Sequence, residues 1–145
     1  MRDIKKILFA TDFSESSLPA ADYAITLAKL TGAHLHILHV INELEEHQRV
    51  MIPIEAFQVL EKKVELHAVA ELESFCTNQA LGLPTTTHAV VGVPFAKILE
   101  IAEAVAADLV VMGTHGRAGI EHILVGSTAE RVVRHSRIPV LTVRS

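Results

Sequence analysis

Between Ala107 and Val133 the chain reads ADLVVMGTHGRAGIEHILVGSTAERVV, and this stretch limits the possible folds more than any other. An apolar run, Leu109-Val110-Val111-Met112, breaks at Gly113 and Gly116, and a helical pattern restarts at Gly126-Ser127-Thr128. A short aliphatic run without polar alternation marks a strand buried on both faces, as parallel sheets require. The glycines let the backbone reach positive φ and let a ligand come close. The helix start offers N–H groups that have no partner inside the helix, at the positive end of its dipole. Run, glycine loop and helix have the plan of a phosphate cradle. A tight turn that needs its glycines only sterically has the same outline. The spacing is G-x2-G-x9-G-[ST] over Gly113, Gly116, Gly126 and Ser127. It is not the P-loop, because no lysine follows Gly126, and it is not the dinucleotide pattern G-x-G-x-x-G.

The remaining elements alternate in the same style. Lys6 to Thr11, KILFAT, reads as a first strand with Asp12 at its carboxyl end. A helix follows within Ser14 to Thr31, with Leu18, Ala21, Ile25 and Ala28 at spacings of three and four. Ser14, Ser16 and Ser17 are all fair N-caps, and Pro19 favours the later two because proline suits a first turn. Gly32 is the expected stop. Ala33 to Ile41 is a second strand, and Asn42 to Pro53 a mostly polar connection long enough to be functional or disordered. Ile54 to Leu81 reads as a long helix with Phe57, Leu60, Val64, His67, Ala68, Leu72 and Phe75 on one face, ended by Gly82 and Pro84. Thr85 to Val91 is a third strand. Pro94 opens a helix whose buried stripe is Ile98, Ile101, Ala102 and Val105. Asp108 to Met112, Ser127 to His135, and Ile138 to Val143 are a strand, a helix and a strand. Alternating strands and helices, without a repeat or a linker, predict an α/β fold: one domain over residues 1–145, with an open parallel sheet covered on both faces.

Composition agrees. The 145 residues are 50% hydrophobic but only 4% aromatic, which suits aliphatic packing around a parallel sheet. The net charge of −4, with no basic stripe, disfavours nucleic-acid binding. The single cysteine, Cys76, cannot form an internal disulfide and reads as a small buried hydrophobe in a reducing compartment. The apolar run Ile7 to Ala10 is too short for a signal peptide, and no stretch approaches a membrane span. The expectation is a cytoplasmic protein with no membrane partner.

Several residues carry two readings. Asp12 is either a turn or capping residue, or an acceptor for ligand hydroxyls. Ser127 and Thr128 are N-caps that could also donate hydroxyls to a phosphate. His115 and Arg117 could screen phosphate charge, or form a solvated loop pair. His122 reads as loop surface. Of the nine histidines, His34 and His36 share one face of the second strand and His39 lies on the other. No Cys or acidic cluster completes a zinc site, so either a partly exposed face or hydrogen-bonded strand histidines are expected, and no metal from the protein alone. No G-x-S-x-G, S-x-x-K or H-E-x-x-H motif is present. The loop offers His115, Arg117, Glu121 and His122, but none is assignable as the base that phosphate-ester hydrolysis would need. The chain reads as a binding protein, not an enzyme.

The glycine spacing with Thr11-Asp12 resembles the universal stress protein family, in its ATP-binding subgroup. Gly92-Val93-Pro94 is similar to that family's G-x-P turn, and the likeness runs from Lys5-Lys6-Ile7-Leu8 to Pro139-Val140-Leu141-Thr142-Val143. The resemblance implies a Rossmann-like, adenine nucleotide α-hydrolase-like sheet of order 3-2-1-4-5. Its first and fourth strands would end beside each other where the winding reverses, the place where such sheets bind ligands. It implies nucleotide contacts from Ala10, Thr11 and Asp12, and from the adenine-facing Val40. It implies the same for Met112, Gly113, Thr114, His115, Gly116 and Arg117, and for Gly126, Ser127, Thr128 and Ala129. The ligand would be ATP, with Mg2+ or Mn2+ accompanying its phosphates. The last strand, Ile138, Pro139, Val140, Leu141, Thr142 and Val143, would pair two copies into a homodimer, which also protects an apolar sheet edge. A nucleotide-dependent stress-response regulator follows, with an undefined protein partner. Alternatives are a slow ATPase or phosphotransferase using the same crevice, and a dimeric adaptor that holds AMP, cyclic AMP or no nucleotide.

Overall fold

The computed structural model describes residues 1–42, 52–80, 82–115 and 126–145. The sheet has five parallel strands: β1 (Lys6–Ala10), β2 (His34–Ile41), β3 (Thr85–Val91), β4 (Leu109–Gly113) and β5 (Val140–Val143). Their order is β3-β2-β1-β4-β5, as the family resemblance implies. The helices are α1 (Leu18–Thr31), α2 (Ile54–Asn78), α3 (Pro94–Ala104) and α4 (Ser127–His135), with a short 3-10 turn at Glu15–Ser17 before α1.

Central β1 explains the layering. Ile7, Leu8 and Phe9 are fully buried, and alternate residues of the strand enter different cores. Ile7 and Phe9 pack with Leu35, Ile37 and Val111 against the alanine-rich face of α1 and the end of α2. Leu8 and Ala10 pack with Leu38, Val110 and Met112 against Ile98 and Ala102 of α3 and Ala129 and Val132 of α4. Small alanines on α1 let the helix lie close to the sheet, which is why few aromatics are needed.

Local chemistry sets the boundaries. Ser17 precedes α1 and Pro19 stands in its first turn, while Ser14 precedes the 3-10 turn instead. Gly32 closes α1 at φ 71°, a left-handed conformation that glycine adopts without strain. The fifth strand begins at Val140, later than the sequence suggests. Ile138 is held in a turn, where Ser136 Oγ donates to the Ile138 carbonyl and accepts from its N–H. At the same, amino-terminal end of the strands, Asp108 Oδ2 accepts from the Lys5 and Lys6 N–H groups at 2.8 and 3.0 Å, tying the start of β4 to the start of β1. Those two backbone donors hold the Asp108 carboxyl below its ordinary range.

Two helix faces differ from expectation. Leu18 is 47% exposed, because the chain is still entering α1 there. On α2 only Ala68, Leu72 and Phe75 are buried, whereas Leu60 and Val64 are more than a third exposed. His67 faces solvent and pairs with Glu71 at 3.1 Å. The cause is length: 25 residues of helix span about 37 Å, and strands of four to eight residues span far less. The amino-terminal half of α2 therefore projects past the sheet. Cys76 is half-buried against the core shared by α1 and α2. No helix among the described residues is long and apolar enough to cross a membrane.

Candidate nucleotide-binding crevice

Two loops meet where the strand order reverses. β1 and β4 lie side by side, with Ala10 paired to Met112, and the chains leaving them turn to opposite faces of the sheet. This divergence opens a crevice of about 770 Å3 outside the carboxyl ends of the strands. A volume of that size suits a small-molecule ligand. A smaller recess of about 220 Å3 lies between the start of α1 and the end of α2, and none of the described residues of the glycine loop lines it.

The crevice gathers nearly all the residues singled out from sequence. Ala10, Thr11 and Asp12 line it from β1 and its exit, and Val40 from the end of β2. Met112, Gly113, Thr114 and His115 line it from β4, and Gly126, Ser127, Thr128 and Ala129 from the start of α4. Gly116, Arg117, Glu121 and His122 lie outside the described residues. Leu38, Ser17, Asn42, Pro94, Ile98, His39 and Val64 also line the crevice, without having been assigned to it from sequence. His39 could have been found from its place beside Val40 at the end of a strand. Val64 could not, because it arrives on the projecting part of α2.

On the β1 side, Thr11 leaves the ladder but stays clamped. Its N–H donates to the Leu38 carbonyl at 2.9 Å, and its carbonyl is 2.9 Å from His39 Nδ1. Thr11 Oγ1 donates to Ser17 Oγ and accepts from the Phe13 N–H. Asp12 Oδ1 accepts from both the N–H and the hydroxyl of Ser14. The acidic side chain is thus held within a local turn, and it still lines the crevice. The turn reading of Asp12 holds, and the carboxylate stands where the ligand reading would need it.

On the other side, the glycines differ in what they do. A Cβ at Gly126 would stand 2.8 Å from the Thr114 carbonyl oxygen, to which the Gly126 N–H also donates. Close approach of two backbone segments requires this glycine. At Gly113 a Cβ would find only ordinary contacts, at 3.5 Å from the His115 and Ser16 carbonyls. Packing among the described residues does not demand that glycine. Gly126 is the N-cap of α4 and has no side chain to cap with, so Ser127 and Thr128 stand in the first turn rather than at the cap the sequence suggests. N–H groups and hydroxyls at this place suit an anion.

Charge is arranged consistently. Glu130, in the first turn of α4, is drawn down the helix into an ion pair with Arg134. Arg131 lies over the Phe95 ring, 5.0 Å from its centre. No lysine or arginine among the described residues lines the crevice. Among the described residues, the groups there that could meet an anion are backbone N–H groups, hydroxyls and His115, whose Nδ1 lies 3.0 Å from Thr114 Oγ1. A divalent ion with the nucleotide would fit this donor set, since hydroxyl and carboxylate oxygens are its usual ligands.

The histidines of β2 are hydrogen-bonded, as expected from the sequence. His34 Nε2 pairs with Thr86 Oγ1 at 2.7 Å, and His36 Nδ1 with His88 Nε2 at 3.0 Å on β3. Among the described residues, no three metal-ligating side chains converge. Burial, then the neighbouring His34, His88 and Lys6, push His36 down to about 4. Burial also lowers His88.

Comparison with known proteins agrees with this geometry. The model of the "Universal stress protein family" matches residues 3–144. The chain is 37% identical to universal stress protein MJ0531 of Methanocaldococcus jannaschii, over 97% of this chain and 82% of that protein. The solved structure of MJ0577, from the same organism, superposes with a TM-score of 0.86 at 32% identity, covering 99% of this chain and 98% of that one. A universal stress protein solved in complex with cAMP superposes with a TM-score of 0.71 at 26% identity, covering 99% and 98%. By its family match and its fold, the chain belongs to the universal stress protein family.

Proposed function

We propose that the crevice binds an adenine nucleotide, ATP with Mg2+ or Mn2+, and that occupancy makes the chain a nucleotide-dependent regulator in the stress response. The observation that carries this reading is the convergence of Asp12 with Gly113, Gly126 and Ser127, from opposite ends of the sequence, on one crevice. The related protein solved with cAMP supports the ligand class. In this reading Asp12 accepts from the ribose hydroxyls and Val40 packs against the adenine. The glycine loop and the start of α4, with Ser127 and Thr128, hold the phosphates. Regulation follows if the nucleotide binds one arrangement of the loops better than another.

The reading is of a binding protein in the cytoplasm rather than an enzyme. The described titratable side chains in the crevice are Asp12, His39 and His115, and each already has a partner in the chain. We also propose a homodimer through β5. Pro139 and Val143 give their carbonyls to β4, so by alternation the backbone of Val140 and Thr142 faces away from it, where a second copy can pair.

The test is nucleotide content and affinity. The purified protein is denatured and the released nucleotide identified by chromatography. Stripped protein is then titrated with ATP and Mg2+ by calorimetry, beside Gly113→Val and Ser127→Ala. Micromolar or tighter binding, lost in Gly113→Val, is expected. Absence of binding by any adenine nucleotide at millimolar concentration overturns the reading. Tighter binding of AMP or cyclic AMP than of ATP would replace the ligand. Steady phosphate release abolished by Asp12→Ala would make the protein an ATPase.

A further inference from the structure

We propose that His39 is a positioning residue for Asp12, fixing the peptide that carries this carboxylate into the crevice. The inference rests on the nucleotide reading above and adds to it a determinant of ribose recognition. The β1–β2 pairing ends at Ala10 and Leu38, so Thr11 and Asp12 lie beyond the register of the sheet. A strand end without further pairing is free to turn about its last peptides. Here it is not free, because Thr11 is gripped on both its polar groups. Leu38 takes its N–H, and His39 Nδ1 lies 2.9 Å from its carbonyl. A carbonyl only accepts, so Nδ1 must carry the hydrogen, and that bond fixes the tautomer of the ring.

The same imidazole also supports the residue on the far side of Asp12. Phe13 has φ 62°, a left-handed conformation that is strained for an aromatic residue and persists only where its surroundings impose it. Its ring lies against the His39 ring, with centres 4.9 Å apart. One side chain from β2 thus braces both neighbours of Asp12, while Ser14 holds the carboxylate itself. His39 lines the crevice beside them. Its two contacts can be separated chemically. Asparagine places an N–H at the same bond count as Nδ1 but has no ring. Phenylalanine keeps the ring and has no donor.

The experiment compares ATP with an analogue whose ribose lacks both hydroxyls, titrating the full chain with Mg2+ by calorimetry. Asp12 held in place should make the wild type prefer ATP. His39→Phe should lose that preference through a fall of about tenfold in ATP affinity, the equivalent of one good hydrogen bond, with affinity for the analogue unchanged. His39→Asn should keep the preference to within about threefold, a rescue that a role in stability alone does not predict. In an Asp12→Ala background, His39→Phe should have no further effect on the ratio. An unchanged ATP-to-analogue ratio in His39→Phe overturns the positioning role. So does a wild type that binds both ligands equally. A wild type that binds neither overturns the nucleotide reading instead. Should His39→Phe fail to fold, His39→Gln, with its amide one bond further out, replaces it and must also lose the preference.

Discussion

Gly126 and Gly113 look alike in sequence and should respond differently to the same change. A methyl at Gly126 meets the Thr114 carbonyl at 2.8 Å, a distance that real side chains do not tolerate. Gly126→Ala should therefore force the two loops apart and lower stability by about 1–3 kcal/mol. Gly113→Ala makes ordinary contacts and should stay within about 0.5 kcal/mol of wild type. Urea denaturation of the two variants checks this, and equal losses would show the assignment to be wrong. His36 gives a second residue-scale expectation. Its ring is neutral in the fold at pH values where the unfolded chain, with an ordinary imidazole near 6.5, is protonated. Between 6.5 and about 4 the unfolded state binds more protons, so stability rises with pH across that window. His36 contributes fully above 6.5 and loses its contribution as pH falls to about 4. Because the ring is partly exposed, the effect should be modest. Thermal melts from pH 4 to 7.5 should show this slope in the wild type and a flatter one in His36→Gln.

The long helix shows what periodicity conveys and what it does not. The spacing of Phe57, Leu60, Val64, His67, Ala68, Leu72 and Phe75 marks the helix, but His67 faces solvent, and the spacing says nothing of how much sheet there is to cover that face. Only the part from Ala68 onward meets the sheet core. Leu72, 1% exposed, should lose about 2–5 kcal/mol on truncation to alanine. Leu66, 61% exposed on the same helix, should change stability by no more than about 0.5 kcal/mol. Chemical denaturation of the pair measures the difference, and comparable losses would mean that the projecting half is packed in solution. The strands were easier to read. Their aliphatic runs are short, local and bounded by Gly, Pro and polar residues, so each strand can be placed along the chain from local signals alone. What remained hidden was tertiary: the Val64 side chain at the crevice, and the His39 bond to Thr11, which joins residues of different strands.

At the scale of the molecule, the crevice was legible because each half carries its own local signal, Thr11-Asp12 on one side and the glycine spacing on the other. Their meeting depends on strand order, which came from family resemblance and which the sheet bears out. The second molecular expectation concerns the open edge. Thr142→Pro deletes an N–H that faces away from β4, so the sheet should survive while a strand-paired dimer should not. Sedimentation velocity should show a dimer for the wild type and a monomer for the variant, and a monomeric wild type would dispose of the dimer. The pairing of β1 with β4 has a consequence for how the protein is made. Ile7 finds its partner Leu109 a hundred residues later, so the central strand emerges from the ribosome early and waits for most of synthesis with one flank bare. The nascent chain must shelter this apolar strand through that interval, and the crevice comes into being only in the final seconds of translation.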